Sequence, residues 1–245
     1  MRNTRILAVV AAAGAVALAL PAAAEKKATI DRVWTSPDLA QLPVPSIAML
    51  TTVTYDGSIE ARRLVEQAVG KALRGSGHRW VSAAMARDCL VKAGGDSLLK
   101  ALNDKALKNP RLDSLDAPLV SRATHARALL TVRVDQMERA ELEADQAGRP
   151  TTSVQLRGAL VDSTGRLLWT IQSSESVEGA LQEPGGNVIG VKESSLNNSS
   201  VGGTSAAPSY EEVLEKICLR WTEGFPRRAA ADSSRAAPDS SRSVK

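Results

Sequence analysis

The chain has 245 residues, with 31 Lys and Arg against 27 Asp and Glu, a formal charge of +4, 3% aromatic residues, two histidines and two cysteines. The basic excess lies at the ends: Arg2 and Arg5 open the chain, and Arg227, Arg228, Arg235, Arg242 and Lys245 follow Pro226, so the body between Glu25 and Pro226 is close to neutral. A neutral body without a basic, aromatic-studded stripe argues against a nucleic-acid groove, and the length suits one domain with tails.

Met1–Arg5 is a basic head, Ile6–Leu20 carries no charge, and Pro21-Ala22-Ala23-Ala24 is a small-residue exit before Glu25. That layout predicts a secretory signal peptide over 1–24, cleaved after Ala24, and hence a periplasmic or secreted protein. The apolar run is shorter than the ~20 residues that span a bilayer, which argues against a retained anchor. Residues 25–45 read as an extended, proline-punctuated lead-in whose one large apolar residue is Trp34.

The α/β domain is expected over 46–226. Ile47–Tyr55 is a nearly continuous apolar and β-branched run, which suits a buried strand. Asp56-Gly57-Ser58 supplies a turn and a helix cap. Ala61, Leu64, Val65, Ala68, Val69, Ala72 and Leu73 then recur at the spacing of one helical face. After Gly75-Ser76-Gly77, His78–Val81 reads as a short strand. Ser82 opens a helix to about Ala93, which Gly94-Gly95 breaks. Leu98, Leu99, Leu102, Ala106 and Leu107 mark another helical face before Asn109-Pro110, and a short helix fits within Pro118–Arg127.

Three strands follow in quick succession. Leu130, Val132 and Val134 alternate with Thr131, Arg133 and Asp135; Val154, Leu156 and Leu160 share one face; Leu167, Trp169 and Ile171 share another. Asp162-Ser163-Thr164-Gly165 provides a tight hairpin turn between the last two. Leu142–Pro150 reads as a longer hairpin tip, and the nearby Glu138, Glu141, Glu143 and Asp145 as a solvated acidic turn. Residues 183–208 are rich in Gly, Ser and Asn and read as a flexible loop. Ser209-Tyr210-Glu211-Glu212 is a capping box for a final helix, with Val213, Leu214, Ile217, Cys218 and Trp221 on one face. Residues 227–245 read as a disordered basic tail. The expected fold class is thus α/β: a single domain with a mixed sheet of about five strands packed by three to four helices, in the order β-α-β-α-α-β-β-β-α.

No constellation of catalytic residues emerges. There is no nucleophile elbow, and Gly202-Gly203-Thr204-Ser205-Ala206 lies in the low-complexity loop with no strand before it. Gly-rich runs with phosphate-loop spacing are missing, so no cofactor is expected, and two isolated histidines without a CxxC give no metal site. His78 and His125 each begin near a strand entry and are the candidate titratable binding residues. Trp34 is the candidate surface aromatic, whereas Trp80, Trp169 and Trp221 fall on faces expected to be buried. Cys89 and Cys218 leave two outcomes open, one disulfide in an oxidising compartment or two buried thiols.

Ile47–Thr54 followed by Asp56-Gly57-Ser58 is similar to the "IAVLPF-x-x-x-S" opening of several bacterial envelope domains. Ala126–Val134 resembles their "GAD-x-LL-x-G-x-V" strand, and Val161–Trp169 their "L-x-D-x-x-TG-x-x-LW" hairpin. The family is that of the CsgG-like proteins, the LpoB activators of penicillin-binding proteins and the TolB amino-terminal domain. The resemblance implies a small α/β domain, with no catalytic set, that works by docking to other envelope components. The expectation is an exported, non-enzymatic protein that docks to a cell-wall or outer-membrane assembly component. Two alternatives stand beside it: a hydrolase joining His78 or His125 to a carboxylate, and a structural subunit of a secretion or assembly complex.

Overall fold

The structure is a computed structural model that describes residues 30–39, 44–143, 145–183, 187–189 and 205–227. The expected signal peptide, nearly all of the basic tail and most of the Gly/Ser/Asn loop lie outside these residues. Within them the domain is α/β, as the sequence predicts, with a mixed sheet of seven strands and four helices. The strands are β1 (Ile30–Thr35), β2 (Ser46–Met49), β3 (Val53–Thr54), β4 (Arg79–Val81), β5 (Ala128–Ala140), β6 (Thr151–Asp162) and β7 (Leu167–Glu178). They lie in the order β1-β7-β6-β5-β2-β4, with β3 also on β5. A separate hairpin joins β8 (Leu181–Glu183) to β9 (Asn187–Ile189), so part of the expected loop is paired.

Two strands were not legible as such. β1 falls in the predicted lead-in and pairs antiparallel with β7, Ile30 opposite Ser174 and Trp34 opposite Thr170. The apolar run 47–55 is divided into β2 and β3, both parallel to β5. At the division the Thr52 amide donates to Glu66 Oε1 at 2.9 Å instead of to a strand.

The helices are α1 (Ile59–Leu73), α2 (Ala83–Lys108), α3 (Asp116–Thr124) and α4 (Tyr210–Gly224). Serine side chains cap three of them: Ser58 accepts from Ala61 N, Ser82 from Met85 N and Ser209 from Glu212 N. The two helices predicted on either side of Gly94-Gly95 are both present, taken together here as α2, and the helical backbone is interrupted between them at Gly95 (φ 71°, ψ −173°). That conformation is one glycine alone adopts readily. Among the described residues no helix is long and apolar enough to cross a membrane.

Strand alternation divides the core into two layers. Ile47 and Met49 face α1 and α4, together with Leu130, Val132, Leu156, Trp169 and Trp221. Ala48 and Leu50 face α2 and α3 with Leu90, Leu102, Val120, Leu129 and Val161. On the first side Trp221 stacks edge-on against Trp169 at 5.7 Å, and its indole N–H donates to Ser173 Oγ at 2.9 Å. Gly158 leaves the space these rings fill, since a Cβ there would stand 3.0 Å from the Trp221 ring. Arg220 of α4 anchors the edge strand on this side, reaching Asp31 Oδ2 at 2.5 Å and Glu175 Oε2 at 2.9 Å.

Candidate functional site

α1 and α4 lie side by side on one face of the sheet and leave a groove between them. Their buried residues, Val65 and Val69 on α1, and Val213, Ile217 and Trp221 on α4, point down into the sheet. The next positions around each helix, Leu64, Ala68 and Ala72 facing Leu214, Cys218 and Leu219, form the groove walls. A cavity of about 400 Å³ lies between these walls, open to the surface. Its rim carries Gln67 and Lys71 on one side and Glu211 and Glu215 on the other. Leu219 stands at the lip, 64% exposed.

The only thiol in the groove is chemically quiet. Cys218 is buried, and burial, reinforced by the charge of Glu215, pushes its pKa up to about 12. A nucleophilic cysteine needs the opposite, a lowered pKa in an electropositive and accessible setting. Cys89 is half-buried on α2, across the sheet from Cys218, and both are free thiols. The disulfide, one of the two outcomes left open by sequence, is therefore not formed in this fold. Two helices on opposite sides of a sheet cannot bring Cα atoms to bridging distance.

The two histidines also have structural surroundings. His78 is buried, with Nδ1 2.5 Å from the Val44 carbonyl oxygen and Nε2 3.0 Å from that of Pro226, and its ring meets Phe225 edge-on. Both ring nitrogens face main-chain acceptors, so neither is presented to a substrate. His125 sits in the left-handed conformation at the C-terminus of α3 (φ 52°), exposed, and its carbonyl accepts from Arg79 at 2.9 Å. No hydrogen bond is seen between the two histidine rings among the described residues. Trp34, the third candidate, is 46% exposed on β1, and Trp80 is half-buried against the α1/α4 core.

Glu138, Glu141, Glu143 and Asp145 near the β5–β6 tip are all exposed, as a solvated turn requires. Glu141 pairs with Arg139 at 2.6 Å and accepts from the Ala207 amide at 2.8 Å. Gln182, fully buried, gathers this end of the molecule: its side-chain amide donates to the carbonyls of Glu143 and Gln146 and accepts from Ser205 N. Among the described residues no group of three or more His, Cys, Asp or Glu is placed to hold a metal ion.

Sequence reasoning missed the groove because it lies between helices far apart in the chain. Its one advance signal was the pairing of short residues, Ala68 and Ala72, with a leucine at the same helical face.

No protein-family model matches the chain, and no curated protein matches its sequence. Among solved structures it is similar to the PelC dodecamer from Paraburkholderia phytofirmans, at 15% identity over 82% of this chain and all of that one, with a TM-score of 0.45. It is similar to the lipoprotein GNA1162 from Neisseria meningitidis at 17% identity, over 65% of this chain and 89% of that one, TM-score 0.43. The LpoB C-terminal domain from Salmonella enterica follows at 15% identity, over 58% and 93%, TM-score 0.29. No residue's role passes to this chain from any of these.

Proposed function

We propose that this protein is an exported, non-enzymatic component of the cell envelope that docks to a cell-wall or outer-membrane assembly component through the groove between α1 and α4. The observation that carries this reading is the groove itself: apolar walls, a charged rim, an exposed Leu219 at its lip, and a single thiol made unreactive by burial. Such a surface suits an amphipathic segment whose apolar side chains enter between the helices and whose polar flank meets Lys71, Glu211 and Glu215. The hydrolase alternative needs a histidine free to move a proton beside a carboxylate. His78 is held by two carbonyls and His125 is exposed with no carboxylate bonded to its ring among the described contacts.

The test is site-specific photocrosslinking in the native host. A benzophenone side chain at position 219 is expected to trap a discrete envelope protein, and an identical probe at Leu115, 80% exposed at the start of α3, is expected not to. Ala72→Arg, which fills the groove without entering the core, is expected to abolish the adduct. The same adducts from both positions, or an adduct that survives Ala72→Arg, would refute groove docking.

A further inference from the structure

The opposite face of the sheet is only partly covered. α2 and α3 pack over the end that carries Ala48, Leu50, Leu129 and Val161. The long strands β5, β6 and β7 run on beyond these helices, and β1 extends the same face by one more strand. There the outward residues are polar and only half-buried: Ser153, Gln155 and Arg157 on β6, and Thr170, Gln172 and Ser174 on β7. Strand register sets them in rows. Arg32, Gln172, Arg157 and Arg133 lie side by side across four strands, and Trp34, Thr170, Ala159 and Thr131 form the next row. Neighbouring strands are ~4.8 Å apart, so each row spans roughly 14 Å.

Charge and chemistry on this face are specific. Asp135, with its side chain 8% exposed, sits between Arg133 Nε at 2.7 Å and Arg157 Nε at 2.5 Å. One carboxylate thus serves two guanidiniums and leaves one positive charge over. Arg32, exposed on β1, makes no ion pair among the described residues and adds another. The exposed indole of Trp34 is two residues further along the same strand and on the same side. Glutamine amides and serine or threonine hydroxyls, which both donate and accept, occupy the remaining positions.

We propose that this face binds an extended acidic polysaccharide, with Trp34 stacking on a sugar ring and Arg32 and Arg157 engaging its carboxylates. Guanidinium groups match carboxylates in shape and charge. The amide and hydroxyl rows match sugar hydroxyls, which need both donors and acceptors. A nucleic acid would call for several stacking aromatics along a strongly basic track, and this face has one aromatic and a small positive excess. The face lies across the sheet from the α1/α4 groove, so either assignment can fail while the other holds.

The experiment is affinity electrophoresis and calorimetry of the full chain with polygalacturonate, neutral dextran and poly-glutamate. Polygalacturonate is expected to retard and bind the protein, dextran to bind weakly, and poly-glutamate to bind weakly. Trp34→Ala and Arg32→Ala, both at exposed positions of the edge strand, are each expected to weaken polygalacturonate binding by about tenfold with an unchanged thermal midpoint. If either variant melts early, acrylamide quenching of the wild type decides: polygalacturonate is expected to shield the exposed indole of Trp34, since Trp169 and Trp221 are already fully buried and half-buried Trp80 packs on the other side of the sheet. No binding to polygalacturonate, equal binding by the variants, equal binding of poly-glutamate, or no shielding would each overturn the proposal.

Discussion

Glu66 shows how a single side chain carries a local energetic conflict. Its carboxylate accepts from the Thr52 amide where β2 ends and β3 has not begun. Partial burial raises its pKa above the ordinary 4.5, against the opposing pull of the Thr52 hydrogen bond and of Arg62 and Arg87. An acid whose folded-state pKa is raised holds its proton more tightly when folded, so its contribution to stability falls as pH rises through the carboxylate range and then levels off. Glu66→Gln keeps an acceptor for Thr52 and removes the charge. The variant is expected to melt above the wild type at neutral pH, with the gap closing once the medium is more acidic than the carboxylate range. A wild type that melts higher at neutral pH would show that the charge itself is needed. Other residues were readable directly. Ser58, Ser82 and Ser209 cap helices because their hydroxyls accept from orphan amides. Asp162 and Gly165 turn the β6–β7 hairpin, the Asp162 carboxylate accepting from Thr164 N and Arg166 N, and Gly165 at φ +88° against the Asp113 backbone. The partners of His78 were not legible, because Val44 and Pro226 are brought to it only by the finished fold.

At the scale of elements, periodicity carried far where an element has one clear buried side. The face of α1, the closing helix α4 and the alternation of β5 to β7 are all as the apolar spacing predicts. β1 escaped because an edge strand over a half-covered sheet mixes its two sides: Asp31 and Val33 turn toward α4, Arg32 and Trp34 turn away, and no apolar alternation results. α2 was read as two helices because Gly94-Gly95 is a breaker by propensity, and the backbone does leave the helical region at Gly95. Gly95 takes the break between the two helical halves in open space, with nothing within 4 Å of where a Cβ would stand. The cost of Gly95→Ala is therefore conformational alone, expected at about 1–3 kcal/mol. Urea unfolding should show a lower midpoint with an unchanged slope. A midpoint equal to that of the wild type would mean the helix straightens without penalty.

For the whole molecule, His78 ties three distant parts together: Val44 ahead of β2, β4 through its own position, and Pro226 beyond α4. His78→Leu keeps the bulk against Phe225 and leaves the carbonyl that accepts from the ring N–H without its donor, at an expected cost of about 1–3 kcal/mol. The loss should be local to the end of α4, so chymotrypsin is expected to cleave after Trp221, which is buried in the wild type, well before it attacks the sheet. Cleavage at wild-type rate would show that the ring contributes packing alone. The order of pairing across the sheet has a further consequence. β1 is the first strand of the described residues yet closes against β7, Ile30 meeting Ser174, so the chain as far as β7 must be available before the last edge of the sheet can be sealed. Pairings so distant in sequence form slowly. A chain arranged this way keeps that rim of its sheet raw until its opening strand meets a partner laid down much later.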